Sequence, residues 1–540
     1  MHRAQKTSRF NQWLDRFILL MLVSLVLIFI LYPFIQVIIR SFYSDQVFDF
    51  TYYRHLFENP TLITNSLKLA CITTILSLIS SLAVALYYYL SPESIRRVVS
   101  IILGVTMISP PFVTALSYIT LFGRRGWITY GIFKLRLMPY GMWGVALMQM
   151  LGFLSMNSLI LISSLNQFDE DIIKSARSLH ASTTRTIIDI ILPNIKPAVM
   201  VATFLTFIRT LADFGTPTII GGNFTTLATE GYLSVIAQGN FQKAATINVL
   251  ILIPAIVIFL IYNRQLMGSV SSSQKVDQSN GNLPRKGWLF QILRFVAIFM
   301  LVWISLQYLT ILLSAFTKMQ QGQRILTLIN FKEAMPYIDS TIWRSVRFSL
   351  IAAFFGSIFG LLIGYYGVIR EVKIMKWIDF IATLPYVIPG TFFGLGYILA
   401  FNHQPLYLIG TATIIVTNVL FKQLPFSSQM GKSTMQAIDR NTLRSIQDLG
   451  GEFSDVIRDG ILPLSIRGLI LSFMNAFIST MTTLGSIIFL MYPRHKVLTI
   501  VMFDVIARGR YDIGSVIAFY IMIICILVYL SINRLAKWVK

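Results

Sequence analysis

The sequence predicts an all-α polytopic membrane protein, with about twelve transmembrane helices in two parallel six-helix repeats. Three observations carry that expectation. Hydrophobic residues fill 55% of the 540 positions and charged residues only 13%, about half the charge share of a soluble domain. Apolar segments of membrane-crossing length recur along the whole chain. A polar stretch also occurs twice at the same place in the apolar pattern. It reads KSARSLHASTTRTIIDIILP from Lys174 to Pro193 and RSIQDLGGEFSDVIRDGILP from Arg444 to Pro463.

The basic segment carrying Arg3, Lys6, Arg9 and Arg16 comes first, and such segments stay cytosolic. Span one, roughly 17–39, is uncharged and too long for a signal-peptide apolar region, and no small-residue cleavage site follows it. Spans two to six are expected at roughly 69–90, 98–122, 144–165, 197–220 and 244–263. Spans seven to twelve are expected at roughly 295–316, 348–369, 380–401, 406–421, 468–490 and 513–533. Met267 to Gly287, rich in Ser, Asn, Gln and Gly, reads as a flexible linker. The domain expectation is therefore a first repeat over 1–266, a cytosolic linker over 267–287 and a second repeat over 288–540. An even number of spans places both termini on one side, and the Lys and Arg bias makes that side cytosolic. The outer loop with Arg124, Arg125, Lys134 and Arg136 runs against the bias.

The net charge of +22 comes from Lys and Arg clustered between spans, which argues against nucleic acid as a partner. Cys71 and Cys525 both lie in apolar spans and build neither a disulfide framework nor a metal site. The five histidines are scattered without zinc spacing, and no nucleophile–base pairing marks a catalytic centre.

The halves repeat with an offset of 270 positions. Pro193 matches Pro463, Thr210 matches Thr480, Gly215 matches Gly485, Gly239 matches Gly509, and Asn263-Arg264 matches Asn533-Arg534. A membrane protein presenting one polar loop twice is suited to a two-fold partner.

The doubled stretch resembles the cytosolic signature of the permease subunits of binding-protein-dependent ATP-binding-cassette importers. That signature is Glu-Ala-Ala, three residues, Gly, nine residues, Ile, one residue, Leu-Pro. Lys174-Ser175-Ala176, His180, Ile190 and Leu192-Pro193 stand at those places in the first copy. Arg444-Ser445-Ile446, Gly450, Gly460 and Leu462-Pro463 stand there in the second. The Glu is missing from both, and His180 replaces a turn glycine. LFGRRGWIT (121–129), LADFGTPTIIGG (211–222) and ATLPYVIPGTFFGLGYILAF (382–401) resemble the fused two-domain permeases for iron(III), alongside those for thiamine and phosphonates.

The resemblance implies a chain in the bacterial plasma membrane that couples ATP hydrolysis on partner subunits to import, with ferric iron as the cargo. Thiamine or phosphonate-type cargo is the alternative within this class, and an ion-gradient-driven secondary transporter the alternative outside it. The implied partners are two copies of a cytosolic ATPase and an extracytoplasmic substrate-binding protein. The implied cofactors, ATP and Mg, bind those ATPases and not this chain. The implied coupling residues are Ser175, Ala176, His180, Leu192 and Pro193, with Ser445, Ile446, Gly450, Leu462 and Pro463. A short helix presented as a knob suits a groove on such a partner.

Within span five, Arg209 and Asp213 are four residues apart, hence on one face of a continuous helix. Arg209 would lie about 18 Å deep, where a charge needs a partner or an aqueous path. The choice between a structural ion pair and a pathway lining stays open on sequence. The repeat-equivalent residues Ser479 and Thr483 would place hydroxyls on the facing wall. Gly431-Lys432-Ser433-Thr434 imitates the end of a phosphate loop, but Phe426 stands where its first glycine belongs. Gly394-Leu395-Gly396 reads as a helix-packing site. Pro110-Pro111, Pro385, Pro389 and Gly390 are expected to break or kink their spans.

Overall fold

The computed structural model describes residues 9–44, 47–110, 112–124, 126–135, 140–167, 170–266, 287–320, 323–451 and 455–538. Arg3, Lys6, Pro111, Arg125, Arg136 and all of the expected linker except Gly287 lie outside them. Among the described residues, seven helices are long and apolar enough to cross a bilayer: Gln12–Phe42, Thr61–Leu90, Met142–Leu165, Trp288–Phe316, Ile329–Ile369, Val456–Thr482 and Tyr511–Leu535. Three bent pairs raise the set to 10. Two further long helices, Phe241–Leu266 and Ala412–Gln436, stand where spans six and ten were expected.

The bounds of several expected spans are corrected. Span ten runs over 412–436 rather than 406–421. Its polar residues Asn418, Ser427 and Ser428 are buried within the bundle, so this face of the helix meets protein rather than lipid. Span nine is Met375–Val387 and Gly390–Ala400 with a bend of 116°. Pro389 supplies no N–H at the break and disfavours helix at Ile388 before it. Spans five and eleven end early, at Ala212 and Thr482, and do not run on to 220 and 490. The next residues, Asp213 and Thr483, are both extended. A ten-residue apolar helix then follows in each half, Leu227–Ile236 and Leu498–Ala507. Gly239 and Gly509 close them at positive φ, 62° and 76°, which glycine adopts without steric cost.

Two short antiparallel hairpins lie after spans one and seven. They pair Tyr43–Ser44 with Val47–Phe48 and Thr317–Gln320 with Gln323–Leu326. The two element orders thus run in parallel, hairpins included. The halves also exchange their first spans. Tyr397 of span nine donates to the Phe29 carbonyl of span one at 2.9 Å, and a Cβ on Gly396 would lie 2.7 Å from the Pro33 carbonyl oxygen. In return, Tyr308 of span seven donates to Ser109 Oγ at 2.8 Å. Each half therefore buries a helix of the other.

One end of the bundle gathers the starts of both halves and both polar segments. Asp15 accepts from Arg370 at 2.8 Å and from the Tyr366 hydroxyl at 3.0 Å. Arg440 reaches Glu371 at 2.7 Å, and Gly287 packs toward Thr184. The hairpins occupy the opposite end, where Arg324 lies 3.8 Å above the Trp127 ring.

Candidate functional site

The two polar segments fold alike. In the first, helix Glu170–Ser178 turns at His180 into helix Thr183–Thr186. In the second, helix Arg440–Asp448 turns at Gly450. His180 and Gly450 both have positive φ, 56° and 94°. The Ala181 N–H bonds the Ala176 carbonyl at 3.0 Å, and the Gly451 N–H bonds the Ile446 carbonyl at 2.9 Å. Ser175 and Ser445 likewise accept from the N–H of Leu179 and Leu449. These are the back-bonds of a helix stop built on a left-handed residue. Histidine adopts that conformation at the steric cost glycine avoids, so His180 keeps the turn.

The packing beneath the turns is complementary. Ile173 and Leu443 are buried at equivalent places. A Cβ on Gly460 would lie 2.9 Å from both Leu443 and Ile446. The first copy carries the reverse assortment, small Ala176 and large Ile190, at the matching positions. Leu-Pro then acts identically twice. Proline lacks an N–H and crowds the carbonyl four residues back, so the turn before it widens. Leu192 N–H bonds Ile187 and Leu462 N–H bonds Ile457, five residues back each time. Beyond Pro193 the first copy bends by 67°, where Pro197 starts the next helix. The second copy has Arg467 there and continues unbroken. Leu179 and Leu449, at the two tips, are 83% and 89% exposed. Sequence reasoning passed over both; their shared place one residue before the turn was the available signal.

A cavity of about 470 Å³ lies between the halves, lined by Arg209, Gln149 and Asp213 from one and by Gln307, Lys422 and Thr483 from the other, among further residues. The expected Arg209–Asp213 pair on one helical face is corrected. The helix ends between them, and Asp213 spends its carboxylate on three N–H groups. Oδ1 accepts from Gly215 N at 2.9 Å and Thr216 N at 3.2 Å, and Oδ2 accepts from Gln149 at 2.9 Å. This local competition for the carboxylate is why an Asp four residues after an Arg did not make a helical pair. Thr483 repeats the plan, accepting from Gln423 at 3.2 Å. Ser479 does not line the cavity; its carbonyl accepts from the Thr483 hydroxyl at 2.6 Å.

Lys422 was missed because the expected span ten stopped one residue before it. Its Nζ donates to the carbonyls of Pro385 at 2.5 Å and Ile388 at 2.8 Å. Pro385 would bond residue 389 in a continuous helix, and Pro389 has no N–H to give. The lysine thus satisfies carbonyls freed by the break.

Residues 81–271 match the family described as "Binding-protein-dependent transport system inner membrane component". The chain is 28% identical to the ferric transport system permease protein FbpB of Actinobacillus pleuropneumoniae, over 94% of this chain and 77% of that one. It is 29% identical to the putative ferric transport system permease protein FbpB 1 of Haemophilus influenzae, over 94% and 83%. The chain is thus similar to a family of transport permeases, over residues 81–271 by the family pattern and over most of its length by these two relatives. A putative 2-aminoethylphosphonate transport system permease protein PhnV of Salmonella choleraesuis is 28% identical over 45% of this chain and 92% of its own length. That relative matches about one half of this chain, as a repeated architecture allows.

The remaining sequence features of the chain find packing explanations. A Cβ on Gly431 would lie 2.1 Å from the Gly360 carbonyl oxygen, so this glycine permits two spans to touch. Its neighbour Lys432 pairs with Asp379 at 2.6 Å. Gly394 likewise admits the Ser486 carbonyl oxygen, which a Cβ would meet at 2.5 Å. Among the described residues no group of three or more His, Cys, Asp or Glu is placed to hold a metal. From the outer-loop cluster, Arg124 lines a second cavity of about 520 Å³ with Lys318 and Arg324. Burial lowers the Arg324 pKa from its ordinary value to about 10.

Proposed function

We propose that this permease imports ferric iron across a bacterial inner membrane, using ATP hydrolysed with Mg on two copies of a cytosolic ATP-binding-cassette ATPase. An extracytoplasmic binding protein delivers the cargo. The repeats are assigned to 1–266 and 288–540, joined by a cytosolic linker at 267–287. The observation that carries the reading is the doubled helix–turn–helix with its exposed leucine tips at Leu179 and Leu449. Two similar knobs suit two similar grooves. Ser175, Ala176, His180, Leu192 and Pro193, with Ser445, Ile446, Gly450, Leu462 and Pro463, shape those knobs and the wide turns that tie them to spans five and eleven.

Both termini and both knobs then face the cytosol. Arg16, Arg370, Lys373, Lys376, Arg440 and Arg444 support this side by the excess of basic residues that cytosolic loops carry. Ferric cargo follows the two long relatives, each named for ferric transport. The pathway runs through the cavity beside Arg209, Asp213 and Thr483, with Ser479 supporting Thr483. Closing the ATPases on ATP brings the knobs together and rocks the halves around this cavity.

The test is reconstitution of the permease with its ATPase and binding protein in vesicles. ATP-dependent accumulation of radioactive iron is expected. Accumulation of 2-aminoethylphosphonate or thiamine instead would reassign the cargo. Uptake driven by an ion gradient without ATP would overturn the class.

A further inference from the structure

We propose that the central cavity takes the metal together with an oxyanion, a carboxylate or phosphate group held by Arg209, and not as a bare cation. This rests on the ferric reading above. Among the described residues, three with charged side chains line the cavity: Arg209, Asp213 and Lys422. Asp213 is the one carboxylate among them, and its oxygens already accept from Gly215, Thr216 and Gln149. Lys422 spends its Nζ on two backbone carbonyls. With Asp213 engaged in this way, the charge left open to the cavity is the Arg209 guanidinium, which repels a naked trivalent ion. It would also find no cluster of hard ligands among the described residues.

Arg209 is exposed to the cavity and is offered no hydrogen-bond or ion-pair partner among the described residues. Its planar fork of N–H donors matches a carboxylate or phosphate. A second group points the same way. Gln307 also lines the cavity and is 1% exposed, yet its amide N–H₂ meets only the Met148 sulfur at 3.8 Å. A thioether is a weak acceptor, so this buried donor has capacity for an anionic oxygen. A metal that arrives with such a ligand brings its own coordination and presents oxygen to Arg209 and Gln307.

The test is dual-isotope uptake in vesicles holding the permease, its ATPase and its binding protein. The binding protein is loaded with ⁵⁵Fe(III) and either ³²P-phosphate or ¹⁴C-citrate. The expected result is that one labelled anion enters in fixed ratio to iron. Arg209→Gln should lower both signals about tenfold or more, the scale of one charge-assisted contact, with an unchanged gel-filtration profile. Gln307→Leu should lower both as well and stands in if Arg209→Gln folds poorly. Iron entry without either anion, undiminished by Arg209→Gln, overturns the inference and leaves the ferric reading standing. Labelled anion entering equally well without iron means a free anion is the cargo and overturns both. No iron entry under any condition overturns the ferric reading itself.

Discussion

Asp213 decides whether its carboxylate is a partner for Arg209 or a brace for the broken span. Replacing it with alanine removes the acceptor for Gly215 N and Thr216 N and leaves the Gln149 amide, which is 3% exposed, without its carboxylate. Loss of a helix-start acceptor costs about 0.5–2 kcal/mol, and a buried donor left unpaired about 1–3 kcal/mol. Asp213→Ala should therefore destabilise by about 1.5–5 kcal/mol. Asp213→Asn keeps one acceptor oxygen and should cost less than half of that, because Asn caps as well as Asp. Arg209→Gln should fold nearly as well as the native chain, since it strands no carboxylate. The double variant Arg209→Gln/Asp213→Ala should match the sum of the singles within about 0.5 kcal/mol. The assay is thermal unfolding in detergent with folded yield by gel filtration. A buried ion pair would behave oppositely: either single variant would be costly and the double would recover. Recovery in the double variant would refute the reasoning.

Other consequences are equally specific. Gly450→Ala should weaken the second knob by about 1–2 kcal/mol because φ is positive there, whereas His180→Gly should leave the first intact or firmer; hydrogen exchange across 170–182 and 440–451 reads both. Gly431→Ala should lower folded yield sharply, since the new Cβ meets the Gly360 backbone at 2.1 Å and overpacking costs about 1–3 kcal/mol or more; yield equal to the native chain would contradict that contact. Lys422→Met should cost about 1–3 kcal/mol for each carbonyl it abandons. Adding Pro389→Ala, which restores an N–H opposite Pro385, should return part of that stability, as thermal unfolding would reveal.

The features legible in the sequence were those set by composition and covalent geometry. Apolar length placed the spans, and Pro385, Pro389 and Gly390 announced the break that appears at 116°. The spacing between the turn residue and Leu-Pro survived in both copies even though His180 replaced glycine, because backbone φ tolerates that exchange at modest cost. What hydropathy could not reveal were the places where a side chain outcompetes the helix. Asp213 and Thr483 look like polar residues inside apolar runs, yet both sit at helix ends held by Gln149 and Gln423. Lys422 fell outside an expected span because a helix packed inside protein has no need to be apolar. Its partners are backbone carbonyls 34 and 37 positions away, a relation that carries no local pattern. The exchange of first spans is invisible for the same reason: either half could have kept its own helix by composition alone.

The most direct test of the account asks whether the two leucine tips grip two copies of one ATPase. With Cys71 and Cys525 replaced by serine, Leu179→Cys and Leu449→Cys each offer one thiol for a short cross-linker in the assembled transporter. The account predicts that each variant captures one ATPase subunit and that the double variant captures two per permease. Absence of cross-links from both positions, while the ATPase still co-purifies with the permease, would contradict it.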